Sequence, residues 1–82
     1  MLSPSQLRSL RVEALQWSEG VMVDELGWSG ENATTRLVDM EQGRRELNLP
    51  TAKHAIRIGR EHGFTLNSQG HWQPISTRGE GK

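Results

Sequence analysis

This chain of 82 residues has no cysteine, no net charge and no long apolar run. Without cysteine, neither disulfides nor thiolate metal sites can staple the fold, a composition that suits the cytoplasm. No stretch approaches the roughly 20 apolar residues of a membrane span, and the N-terminus lacks the charged-then-apolar pattern of a signal peptide. The expectation is a protein that meets no membrane. Apolar residues make up only 33% of the chain, enough for one compact core and little else. A domain this small buries only about 60–65% of its unfolded surface. No nucleophile with a base, no paired-carboxylate site and no phosphate loop stands out, so neither an enzyme nor a cofactor is expected. His54 and His62 are eight apart with no third ligand, and read as surface histidines. His71 has no evident partner, so no metal site is expected.

The charge is unevenly placed. Residues 1–29 hold Arg8 and Arg11 against Glu13, Glu19, Asp24 and Glu25, a balance of −2. Residues 30–60 hold Arg36, Arg44, Arg45, Lys53, Arg57 and Arg60 against Glu31, Asp39, Glu41 and Glu46, a balance of +2. The last 22 residues are neutral. A neutral total argues mildly against nucleic-acid binding, but the basic excess falls on one segment.

Periodicity predicts a mainly helical, single-domain chain over 1–75. Ser3-Pro4 opens a helix over 4–16, with Leu7, Leu10, Ala14 and Trp17 at helical spacing. Ser18-Glu19 starts a second helix over 19–27, with Met22, Val23 and Leu26 as its apolar stripe. Gly27 supplies the backbone freedom of a sharp turn. A third helix over 30–42 buries Ala33, Leu37 and Met40. Turning 100° per residue gathers Asn32, Thr35, Arg36 and Asp39 on another side. After Leu49-Pro50-Thr51 a fourth helix runs over 51–62, with Ala52, Ala55, Ile56 and Gly59 inward and Gly63 as its stop. Residues 64–75 read as a β-hairpin, and 76–82 as a disordered tail. An isolated hairpin is marginal in water, so this one must pack on the helices or on a second subunit.

The stretch from Met22 to Leu47 is the informative one: a short helix, a glycine-marked turn, and a helix with small polar and basic side chains on one face. This is how a protein offers a helix to the major groove of DNA. The order Leu7-Arg8-Ser9-Leu10-Arg11, Ser18, Glu25-Leu26-Gly27-Trp28-Ser29, then Met40-Glu41-Gln42-Gly43-Arg44-Arg45 resembles the Cro and phage-repressor (Xre-like) helix-turn-helix family. Leu49-Pro50-Thr51-Ala52 with Ala55-Ile56-Arg57-Ile58 resembles that family's next helix. The resemblance covers about residues 5–63, and Glu-x-Gly-Arg-Arg is its most specific part. Between Leu26-Gly27 and Glu41 this chain carries about four residues more than the helix-turn-helix pattern, so either the turn is longer or the third helix gains a turn. Glu19 stands where the family's glutamine braces a phosphate, and the hairpin stands in place of a fifth helix.

The resemblance implies a cytoplasmic repressor, in a bacterial or phage-infected cell, that binds an inverted-repeat double-stranded DNA operator as a homodimer. Counting back from Glu41 places Thr34, Thr35, Arg36 and Asp39 toward the groove, and the helical wheel adds Asn32. Arg36 fits guanine O6 and N7, Asn32 fits adenine N6 and N7, and Thr35 fits a thymine methyl. Asp39 either accepts from cytosine N4 or, the favoured reading, orients Arg36. Arg44, Arg45, Lys53 and the helix start near Thr51 are the candidate phosphate contacts. The family further implies an ion pair of Arg11, or alternatively Arg8, with Glu41. Trp17 and Trp28 are expected in the core, and Trp72 either there or as a dimer anchor. Phe64, Leu66, Trp72 and Ile75, or else the small-residue face of the fourth helix, would form the dimer. A second reading is an antitoxin or inhibitor-type module that uses the same fold to bind an unknown protein partner; the neutral charge and Glu19 favour it.

Overall fold

A computed structural model describes residues 2–75, so the tail expected over 76–82 lies outside the described residues. The chain is mainly helical, with a small antiparallel hairpin at its C-terminal side. Helix α1 spans Pro4–Ser9 and continues into a π-helical turn over Leu10–Ala14. Then follow α2 (Glu19–Leu26), α3 (Ala33–Glu41) and α4 (Leu49–Glu61), and strands β1 (Phe64–Leu66) and β2 (Trp72–Pro74).

Each start has a local cause. Ser3 caps α1 in a reciprocal box with Gln6, its side chain accepting from the Gln6 N–H while the Gln6 amide oxygen accepts from the Ser3 N–H. Ser18 accepts from the Val21 N–H at the start of α2. Asn48 accepts from the Thr51 N–H at 2.9 Å, so α4 begins at Leu49, two residues earlier than expected. Pro50 sits inside that first turn, where its missing N–H costs nothing.

Two boundaries depart from the sequence expectation more usefully. The first helix ends at Ala14, because its last turn widens: the Leu15 N–H reaches Leu10 O, and the Trp17 N–H reaches Arg11 O at 2.8 Å. Gln16 closes this wide turn with a φ of 57°, a left-handed conformation that non-glycine residues seldom adopt. The third helix begins at Ala33, three residues later than expected. Gly30 has a φ of 99°, which no right-handed helix contains. The residues beyond the usual spacing therefore lengthen the turn, and α3 gains nothing from them.

The core is one cluster of Leu2, Leu7, Leu10, Met22, Val23, Leu26, Ala33, Leu37, Met40, Ala52, Ala55 and Ile58. It follows the predicted stripes on α2 and α3, while on the first helix Ala14 and Trp17 only flank it, and on α4 Ile58 is buried where Ile56 was expected and Ile56 is half-buried. The hairpin pairs Phe64 with Pro74, Thr65 with Gln73 and Leu66 with Trp72. Its turn is tied by the Asn67 side-chain oxygen, which accepts from the N–H groups of Gln69 and His71. The hairpin packs on the helices. The Trp72 indole N–H donates to Gln6 O at 2.7 Å, the Gln6 amide donates to Gly70 O at 3.1 Å, and the Trp72 ring lies on Gly59. A Cβ at Gly59 would meet that ring at 3.0 Å, closer than ordinary van der Waals contact, so glycine lets the ring sit this near.

This packing bears on both candidate dimer faces. Trp72 and Leu66 pack against the core of their own protomer. The small residues Ala52, Ala55 and Gly59 of α4 are likewise buried within it, leaving that face no surface for a second copy. Of the proposed interface residues, Phe64 is half-buried and Ile75 exposed.

Candidate nucleic-acid interface

The inner end of α3 is fixed by a buried ion pair. Arg11 donates from Nε to Glu41 Oε2 at 2.7 Å and from Nη2 to Glu41 Oε1 at 3.0 Å. Its Nη1 donates to Trp17 O at 3.1 Å. Of the two arginines considered for this pairing, Arg11 makes it, while Arg8 is exposed. The hydrogen bond to Glu41 holds the Arg11 guanidinium above its ordinary pKa against the opposing effect of burial, with Glu41 and Glu19 adding charge attraction. A two-point fork between rigid groups sets orientation as well as distance. It ties the first helix to the end of α3, and so fixes which side of α3 faces outward.

Thr34 and Thr35 are exposed on that helix, and Val38 and Asp39 are half-buried. Thr35 lies farthest from the buried stripe of Ala33, Leu37, Met40 and Glu41 on the helical wheel. Two turns further, Gln42 is exposed at the C-terminal cap and continues the same line. Sequence reasoning passed over Gln42, although an i, i+7 extension from Thr35 reaches it.

Asn32 occupies the N-cap position of α3 and makes no side-chain capping bond. It is exposed, but it does not belong to the helical face on which the wheel had placed it, since α3 starts one residue later. Arg36 is half-buried at the edge of that face. Its guanidinium carbon lies 4.0 Å from the centre of the Trp28 ring. The expected orienting partner, Asp39, is instead bound to Arg44, whose Nε and Nη2 both donate to Asp39 Oδ1 at 3.2 and 3.1 Å. Trp28 packs against the core as expected and also carries Arg36. No periodicity links residues eight apart across a turn, so that contact had no sequence signal.

The candidate phosphate contacts separate into three groups. Arg44 and Arg45 are exposed just beyond α3, Arg44 in the surface pair with Asp39. Such a pair is worth about 0–1 kcal/mol, so a phosphate can displace Asp39 readily. Lys53 is exposed on α4, where it lines a separate concavity with Ile56, Arg57, Arg60 and Glu61. Thr51 must be withdrawn. It is 8% exposed, and its N–H is already taken by the Asn48 side chain.

Glu19 lines a shallow groove with Thr34, Thr35, Val38, Asp39 and Arg44. That groove therefore offers two carboxylates against one arginine. His62 is exposed, its ring meeting Trp17 edge-on at 4.8 Å. Among the described residues no helix is long and apolar enough to cross a membrane, and no cluster of three or more histidine or acidic side chains could hold a metal. No family model, curated protein or solved structure matches this chain.

Proposed function

We propose that this chain is a sequence-specific double-stranded DNA-binding regulator, a repressor of the phage or mobile-element kind, binding an inverted-repeat operator as a homodimer with α3 in the major groove. The observation that carries the reading is the presentation of α3. A bidentate buried pair fixes its end while Thr34, Thr35 and Gln42 stand exposed along it, followed at once by exposed Arg44 and Arg45. Small polar side chains on a fixed helix suit base edges, and cations at its exit suit the sugar-phosphate backbone. Helix-turn-helix dimers place half-sites about one turn, ~34 Å, apart. Selection of bound duplexes from a random pool, followed by footprinting, tests this. Enrichment of an inverted repeat is the expected result, and a pool that stays random overturns the reading.

Glu19 favours a second reading. A carboxylate in the groove beside Thr34 and Thr35 repels phosphate and suits a basic protein partner of the antitoxin or inhibitor type. Co-purification of a partner that excess duplex DNA fails to displace would support it.

A further inference from the structure

Arg36 is the most unusual side chain on the surface. Its guanidinium carbon lies over the Trp28 ring, 4.0 Å from the ring centre, its Nε is buried without a hydrogen-bond partner, and neither Nη is bonded to a protein acceptor among the described residues. It also has no carboxylate partner there, the ion pairs being those of Arg11, Arg44 and Arg57. Stacking engages the face of a guanidinium and leaves its in-plane donors available. With Nε covered, only the two-pronged Nη edge can meet a ligand.

Two acceptors fit such an edge, a guanine Hoogsteen edge or a phosphate. The surroundings decide between them. Arg36 lines a concavity with Trp28, Gly30, Asn32 and Arg45, and Arg45 has no ion-pair partner among the described residues. Two unpaired arginines facing one hollow call for an anion, whereas a base edge is neutral. Glu31 also lines the hollow, so its net charge is +1 and not +2. Position agrees: Arg36 sits about 100° around α3 from Thr35, on the flank toward the α2–α3 turn.

We propose that Arg36, stacked on Trp28, is a backbone-phosphate clamp that works with Arg45 beside α3, and that it does not read bases. Trp28 is its positioning residue, holding the fork in one plane. This rests on the DNA-binding reading above and reassigns one of its residues.

The test compares wild type with Arg36→Gln, Trp28→Leu and Trp28→Phe. Each is titrated with the duplex enriched from a random pool and with a random duplex of equal length, at several salt concentrations. Arg36→Gln is expected to weaken both duplexes by the same factor, leaving their ratio unchanged, and to make the slope of log affinity against log salt shallower by about 0.9. Trp28→Leu is expected to do the same, and Trp28→Phe to restore the wild-type slope. Thermal melting reports whether each variant folds; if Trp28→Leu does not, Arg36→Gln alone carries the comparison. A loss confined to the enriched duplex, with one base pair of the site relaxed, overturns the clamp and restores base reading. An unchanged slope also overturns it. Failure of the wild type to bind either duplex defeats the DNA-binding reading itself, a result distinct from both.

Discussion

Removing the Glu41 carboxylate would strand a guanidinium that is 8% exposed and has no other anion bonded to it. Breaking one side of a buried pair costs about 3–5 kcal/mol, while replacing both sides with apolar groups is often neutral. Glu41→Leu alone should therefore destabilise strongly, and Arg11→Met with Glu41→Leu should recover much of the loss, as urea denaturation would measure. Additive losses would mean the pair is not coupled. Because the Arg11 pKa is raised, its contribution is fully present below arginine's ordinary range and is lost only above it. Arg11 thus stays charged across neutral pH. Gly59 gives a second residue-scale prediction. Alanine there gains about 1 kcal/mol of helix propensity. Against this stands overpacking of about 1–3 kcal/mol, since the added Cβ would lie 3.0 Å from the Trp72 ring, which is anchored by its bond to Gln6, and 3.2 Å from Leu10 Cδ1. Gly59→Ala should lower the melting temperature, and a rise would show that the hairpin yields.

At the scale of elements, α3 and its exit share charges that can serve DNA or each other. Asp39 holds Arg44 in an exposed pair and also adds negative charge to the groove beside Glu19. Asp39→Asn should release Arg44 and lower repulsion, so affinity for random duplex at low salt should rise. A fall would mean that Asp39 itself contacts DNA, or that Arg44 needs it for position. The elements were largely legible because burial imposes a period. Leu7, Leu10, Met22, Leu26, Leu37, Met40, Ala52 and Ala55 all fall in the core that their spacing predicted, whereas on α4 Ile58 is buried and Ile56, the residue expected inward, is only partly so. What escaped has no such period. The π-helical turn at Leu10–Ala14 is set by single wide backbone bonds and a left-handed Gln16, and the late start of α3 by one backbone angle at Gly30. The candidate site was legible as a set of residues but not as a set of pairs. Arg36 met Trp28 and Asp39 met Arg44, because tertiary placement chooses among nearby partners of equal chemistry.

The whole molecule carries no net charge, so it has no broad positive field to steer it toward DNA. On the proposed DNA-binding reading, affinity would come from local contacts, chiefly Arg36, Arg44 and Arg45 around α3, and specificity from the short polar side chains between them. This leaves Thr35 as the residue that stands or falls with the account, being exposed at the centre of the outward face. The most direct measurement is a random-pool selection run in parallel on wild type and Thr35→Ala. The wild type should enrich an inverted repeat, and the variant the same repeat with preference relaxed at one base pair in each half-site. Identical preferences for the two proteins, or no enriched repeat for either, would contradict that expectation.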